Sequence, residues 1–140
     1  RRVLSDLVGG VYDMQIGAEH SIVWARDGKI YMNGANSKGQ FGNGGTAGGF
    51  KQLVSQTFNN EPIIQIGTDG NYLSYIITLN NIYYAGQCSS GLCANSSSNT
   101  EITGNVQTFT KMIIPEAITS IQYVYFYTVN LVIKDGSSDF

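Results

Sequence analysis

MQIGAEHSIVWARDGKIYMNGANSKGQFGNG, residues Met14 to Gly44, holds a complete hairpin with a glycine-studded exit, and its reading decides the fold. From His20 to Arg26 the side chains alternate as they must in a half-buried strand. Asp27-Gly28 follows as a two-residue turn, and Lys29 to Asn33 runs back. Asp-Gly between two apolar runs is a strong hairpin signal: a type I′ turn needs positive φ at both central residues, and Gly takes it at little steric cost. After the second strand come Gly34, Gly39, Gly42, Gly44 and Gly45, with Asn36 and Asn43 between them. Such a segment is not helix interior and reads as a set of tight turns. Phe41, the one large apolar residue there, is expected to pin the loop to a core.

The same pattern returns further on, with a repeat of roughly fifty residues. Ile64-Gln65-Ile66-Gly67 repeats Met14-Gln15-Ile16-Gly17, and Ile82-Tyr83-Tyr84-Ala85-Gly86 repeats Ile30-Tyr31-Met32-Asn33-Gly34. Asn80-Asn81 replaces Asp27-Gly28 at the turn, Asn being the other residue that tolerates the left-handed region. A third, broken copy starts near Ile118 and ends with Leu131 to Lys134 and a last turn at Asp135-Gly136. The expected divisions are residues 1–13 as the end of a preceding blade or an N-terminal strand, 14–63 and 64–117 as two repeats, and 118–140 as a partial third. Trp24, Ile30, Phe41, Ile77 and Ile82 are the expected core, and Gly34 and Gly86 should occupy matched positions.

At this point the residues carry a family resemblance. Ile16-Gly17 with His20-Ser21, an apolar strand, Asp27-Gly28, a strand ending in Gly34, and then Gly39-Gln40-Phe41-Gly42 resemble the repeat of the regulator-of-chromosome-condensation (RCC1-like) family. The second copy departs from it, with Tyr72 or a neighbour where His20 stood and Gly91-Leu92-Cys93-Ala94 in the loop. The resemblance covers about residues 14 to 136. It implies an all-β chain of antiparallel four-stranded blades, about two and a half repeats of a β-propeller that in this family has seven. The activity of the family's namesake is guanine-nucleotide exchange on a small GTPase, which depends on one face of a complete ring and a protruding wedge; neither is matched in this sequence.

Composition narrows the partners. The charged fraction of 13% is about half the usual value of roughly 25%. With a net charge of −2, and with Arg1-Arg2 as the only adjacent basic pair, there is no phosphate-tracking surface, so nucleic acid is not expected as a partner. Arg1 to Gly10 holds no apolar run long enough for a signal peptide or a membrane span. Lacking an initiator Met, the chain reads as starting at a processing site or at the edge of something larger. The connector from Thr46 to Pro62 has Leu53-Val54 where the outer strand of a blade should fall. Tyr123 to Ile133 is apolar and β-branched, and such an edge must be covered or paired.

Cys88 and Cys93 lie in the loop equivalent to Asn36 through Phe41. Their spacing leaves a small-loop disulfide and a pair of reduced thiols both open. With His20 as the only histidine, a four-ligand metal site is not expected. Asn95-Ser96-Ser97 is an N-glycosylation sequon, and with the cysteines it tilts the reading towards a secreted or cell-surface protein. Glu19, His20 and Ser21 look like a catalytic set, but neighbours along a strand point to opposite faces, so His20 reads as a structural hydrogen-bonding residue. No Gly-rich loop has the form that cradles a phosphate, and no cofactor is expected. The chain therefore reads as a non-catalytic scaffold or protein-interaction module, completed by further chain, a partner or other copies of itself. An extracellular structural or filament subunit is the second reading, and a nucleotide-exchange factor the third.

Overall fold

The computed structural model describes residues 9–88, 104–113, 121–126 and 131–135. Its first sheet has the order β1-β2-β3-β4, all antiparallel neighbours: β1 (Val11–Ile16), β2 (His20–Ala25), β3 (Ile30–Gly34) and β4 (Gly49–Leu53). A second sheet repeats it with β5 (Ile63–Thr68), β6 (Leu73–Thr78), β7 (Ile82–Cys88) and β8 (Gly104–Lys111). The third sheet is a pair, β9 (Ile121–Phe126) and β10 (Leu131–Asp135). The first strands of successive sheets lie side by side, β1 by β5 and β5 by β9, as in blades fanned about a common axis.

Register shows which residues correspond. His20 pairs with Gly34 and Leu73 with Gly86, so Leu73, the neighbour of Tyr72, stands where His20 stood. Ile30 pairs with Trp24 and Ile82 with Ile77, which makes the two hairpins counterparts. Val11 already pairs with Ala25, three residues before Met14.

The turns differ from the expectation in kind. Ala25 N donates to Lys29 O and Gly28 N to Ala25 O, at 2.9 and 3.0 Å. Only Gly28 has positive φ, at 84°. The loop is thus the longer form with a single left-handed glycine bulge rather than a type I′ pair. Asp27 serves through its side chain, Oδ1 accepting from Lys29 N at 3.0 Å. Neither Asn80 nor Asn81 is left-handed; Asn81 closes its turn by donating its amide to Thr78 Oγ1 at 3.1 Å. Asp135 is the last residue of β10 rather than part of a turn, and Gly136, Cys93 and Asn95 lie outside the described residues.

Strand alternation sends one face of each blade to each neighbour. Ile22, Ile30, Met32 and Phe41 of blade 1 meet Ile66, Ile76, Tyr83, Ala85 and Phe109 of blade 2 in one core. On the far side of blade 2, Leu73, Tyr75, Ile77, Ile82 and Tyr84 form a second. Burying each large side chain is worth about 1.5–3 kcal/mol, so these two inter-blade layers dominate the stability. Trp24 corrects the expected core, since it is only partly buried at the margin of the first layer. Its ring packs at 4.6 Å and tilted by 59° against Tyr12, which is itself exposed, and so it closes the blade edge instead of filling the centre.

Candidate functional site

The junction between blades 1 and 2 carries the densest polar construction among the described residues. Its first part is the exit loop of blade 1. Asn36 is buried and organises the loop: Nδ2 donates to Gly45 O and Ala47 O at 2.9 and 3.1 Å, while Oδ1 accepts from Phe41 N at 2.8 Å. Phe41 is thereby aimed into the inter-blade core, where it is fully buried. The loop then pairs with the outer strand of the next blade, Gly44 N donating to Gln107 O at 2.8 Å and Asn43 bridging Thr108. Gly42 is needed for this approach, because a Cβ there would sit 2.2 Å from the Phe109 ring. Phe58 completes the packing from the linker, edge-on to Tyr83 and Phe109.

At the same end of the strands, on the inner side of the blades, the β1–β2 and β5–β6 loops meet. Ala18 N donates to Asn71 O at 3.0 Å, and Thr68 Oγ1 to Ile16 O at 3.1 Å. Just beneath, the His20 Nε2 and Ser74 Oγ atoms are 2.8 Å apart. Burial holds the His20 pKa below its usual value, while the Asp69 carboxylate pulls the other way.

A histidine at that distance from a serine has the spacing of a nucleophile and its base. Chemistry is nevertheless blocked here. Ser74 is 0% and His20 3% exposed, so no substrate reaches either, and Nδ1 has no partner to orient the ring. The pair is a fastener, as expected of a structural His20, with Ser74 a partner that no local sequence signal marked.

Glu61 makes a second polar node, accepting from the Thr78 hydroxyl and, at 2.6 Å, from Asn81 Nδ2. Those bonds, that of Thr78 first, keep its carboxyl below the ordinary pKa. Cys88 is buried and is not a free thiol. The described residues contain no group of three His, Cys, Asp or Glu able to hold a metal ion, and no helix long and apolar enough to cross a membrane.

The side of blade 1 that faces away from blade 2 is different in character. Ile16 is 67%, Leu53 49% and Met14 45% exposed. Met14, Ile16, Ser21 and Asn33 line an open groove of about 390 Å³ that ends at Gly17 and Gly34.

Compared with solved structures, the chain superposes on human WBSCR16 with a TM-score of 0.72 at 15% identity, covering 96% of this chain and 33% of that one. It also superposes on yeast RCC1 (Prp20), solved with Kap60 bound, with a TM-score of 0.64 at 18% identity, over 88% of this chain and 29% of that one. The fold is that of an RCC1-like β-propeller. No family model and no curated protein sequence matches the chain. Within the RCC1-like frame the chain spans about a third of the length of these two neighbours.

Proposed function

We propose that this chain is a non-catalytic RCC1-like propeller segment that works as a protein-interaction scaffold, with the outward face of blade 1 as its binding surface. One observation carries the reading. Register places Met14, Ser21, Val23 and Tyr31 of blade 1 where Ile66, Ser74, Ile76 and Tyr83 stand in blade 2. Those blade 2 residues form the side that is buried against blade 1. The outward face of blade 1 thus has the pattern of a blade-receiving surface; Val23 and Ala25 are already buried on it, and the exposed Met14, Ile16 and Leu53 favour cover by another blade. That blade would come from further chain, from a partner or from a second copy. The yeast neighbour was itself solved with a protein bound, which supports a role in protein contacts.

Sedimentation of the chain alone tests this reading. Assemblies above 15.2 kDa that grow with concentration are expected, and Ile16→Glu should return them to the monomer mass. A wild-type monomer at all concentrations would rule out a second copy as the cover and leave further chain or a partner. Pairing of Cys88 with Cys93 belongs to the same proposal and is read by intact mass with and without reductant; an unchanged mass refutes the pairing.

A further inference from the structure

The inter-blade fastener has a property that a scaffold does not require. In blade 2 the position of His20 is taken by Leu73, and that residue is fully buried in an apolar layer. A leucine therefore satisfies this site of the fold. At the junction of blades 1 and 2 the site instead holds a group that titrates near neutrality.

The surroundings of the ring favour one protonation state. Nε2 faces Ser74 Oγ, whereas Nδ1 is buried without a partner. A bare ring nitrogen in that position is a lesser penalty than a buried N–H, so Nε2 carries the proton and donates to Ser74. A second proton would have to enter at Nδ1, where no acceptor waits and the backbone of Gly17 closes over the ring; a Cβ on Gly17 would lie 2.7 Å from that nitrogen. Of the charged groups nearby, Asp69 on the β5–β6 loop favours the cation. Glu19, on the β1–β2 loop, is exposed to solvent, and Asp13 of β1 pairs with Trp24 at the far end of the strand. Apart from His20 itself, no basic residue occurs on β1, β2, β3, β5 or β6.

We propose that the junction of blades 1 and 2 is a proton-sensitive clasp, held in register while the His20 ring is neutral and loosened when the ring is protonated at mildly acidic pH. The direction follows from linkage. Burial lowers the tendency of the folded ring to bind a proton, and desolvation outweighs Asp69. The opened state then takes up the proton first, so the junction is fully stable above about 6.5 and weakens as pH falls below that value.

Hydrogen exchange at the Ala18 amide, which donates across the junction to Asn71 O, reads the opening directly. After correction for intrinsic pH dependence, one coupled proton raises opening by up to about tenfold per pH unit below the titration point of the free ring. In His20→Leu, which copies blade 2, the corrected rate should be flat with pH. Equal pH dependence in both proteins would overturn the clasp. Should the variant not fold, the wild type decides alone: His20 is the only histidine, so its ring resonances need no assignment by mutation. A midpoint below that of a denatured chain supports the proposal, and one at or above it refutes the proposal. Neither result bears on assembly through Ile16.

Discussion

At the residue scale, the glycines of the exit loop separate two costs that are usually confounded. Gly42 and Gly44 both have positive φ, at 63° and 85°. A Cβ at Gly44 meets nothing within 4 Å, whereas one at Gly42 collides with Phe109. Gly44→Ala should therefore cost about 1 kcal/mol of backbone strain, and Gly42→Ala about 1–3 kcal/mol more, measured by urea denaturation. Equal losses would mean that the loop does not dock on blade 2. Aromatic truncation ranks the packing in the same way. Phe41→Ala should cost about 3–5 kcal/mol. For Trp24→Ala about half that is expected, since its ring is only partly buried, and a calorimetric melt that ranks Trp24 first would reverse this account. Phe41 was legible in the sequence as the lone large apolar residue among glycines. Trp24 was not, because alternation tells which way a side chain points but not how far along the blade the neighbouring sheet extends. His20 was legible as a hydrogen-bonding residue, yet Ser74 is its partner across 54 residues of sequence, and blade 2 keeps no histidine to reveal the pairing.

At the scale of elements, hairpins and strand order were readable because strand alternation and turn residues are local, and both matched hairpins lie where the repeat put them. Turn type was not. Asp-Gly serves two-residue and three-residue loops alike, and the choice depends on the register of the flanking strands. The Asn80-Asn81 turn shows the same limit, since what matters there is a side chain reaching Glu61 from the linker before β5. That contact gives the linker its own pH dependence. Because the folded carboxyl is held low, its contribution is present above about 4.5 and is lost as pH falls through the lower, folded value. Glu61→Gln should remove this acid-limb contribution from a melting-temperature profile while leaving the His20 limb in place. A profile unchanged by the substitution would show that the Thr78 and Asn81 bonds do not hold the turn.

At the scale of the molecule, adjacent blades are joined at two places across the sheets, at the outer strand by the exit loop on β8 and at the inner strands by the His20 clasp. Blades 1 and 2 should consequently unfold as one unit. Amides of β2 and β6 are expected to exchange with the same free energy of opening, and distinct values would mean separable repeats. The joint also has a consequence in time. His20 must wait for Ser74, 54 residues later in the chain. At about 5–20 residues per second of synthesis, Ser74 follows His20 by about 3–11 seconds, far longer than the β2–β3 hairpin needs to close. Through that interval Ile22, Met32 and Phe41 have no second blade to bury against, so the nascent chain carries exposed apolar surface on the ribosome, and slower translation lengthens that exposure.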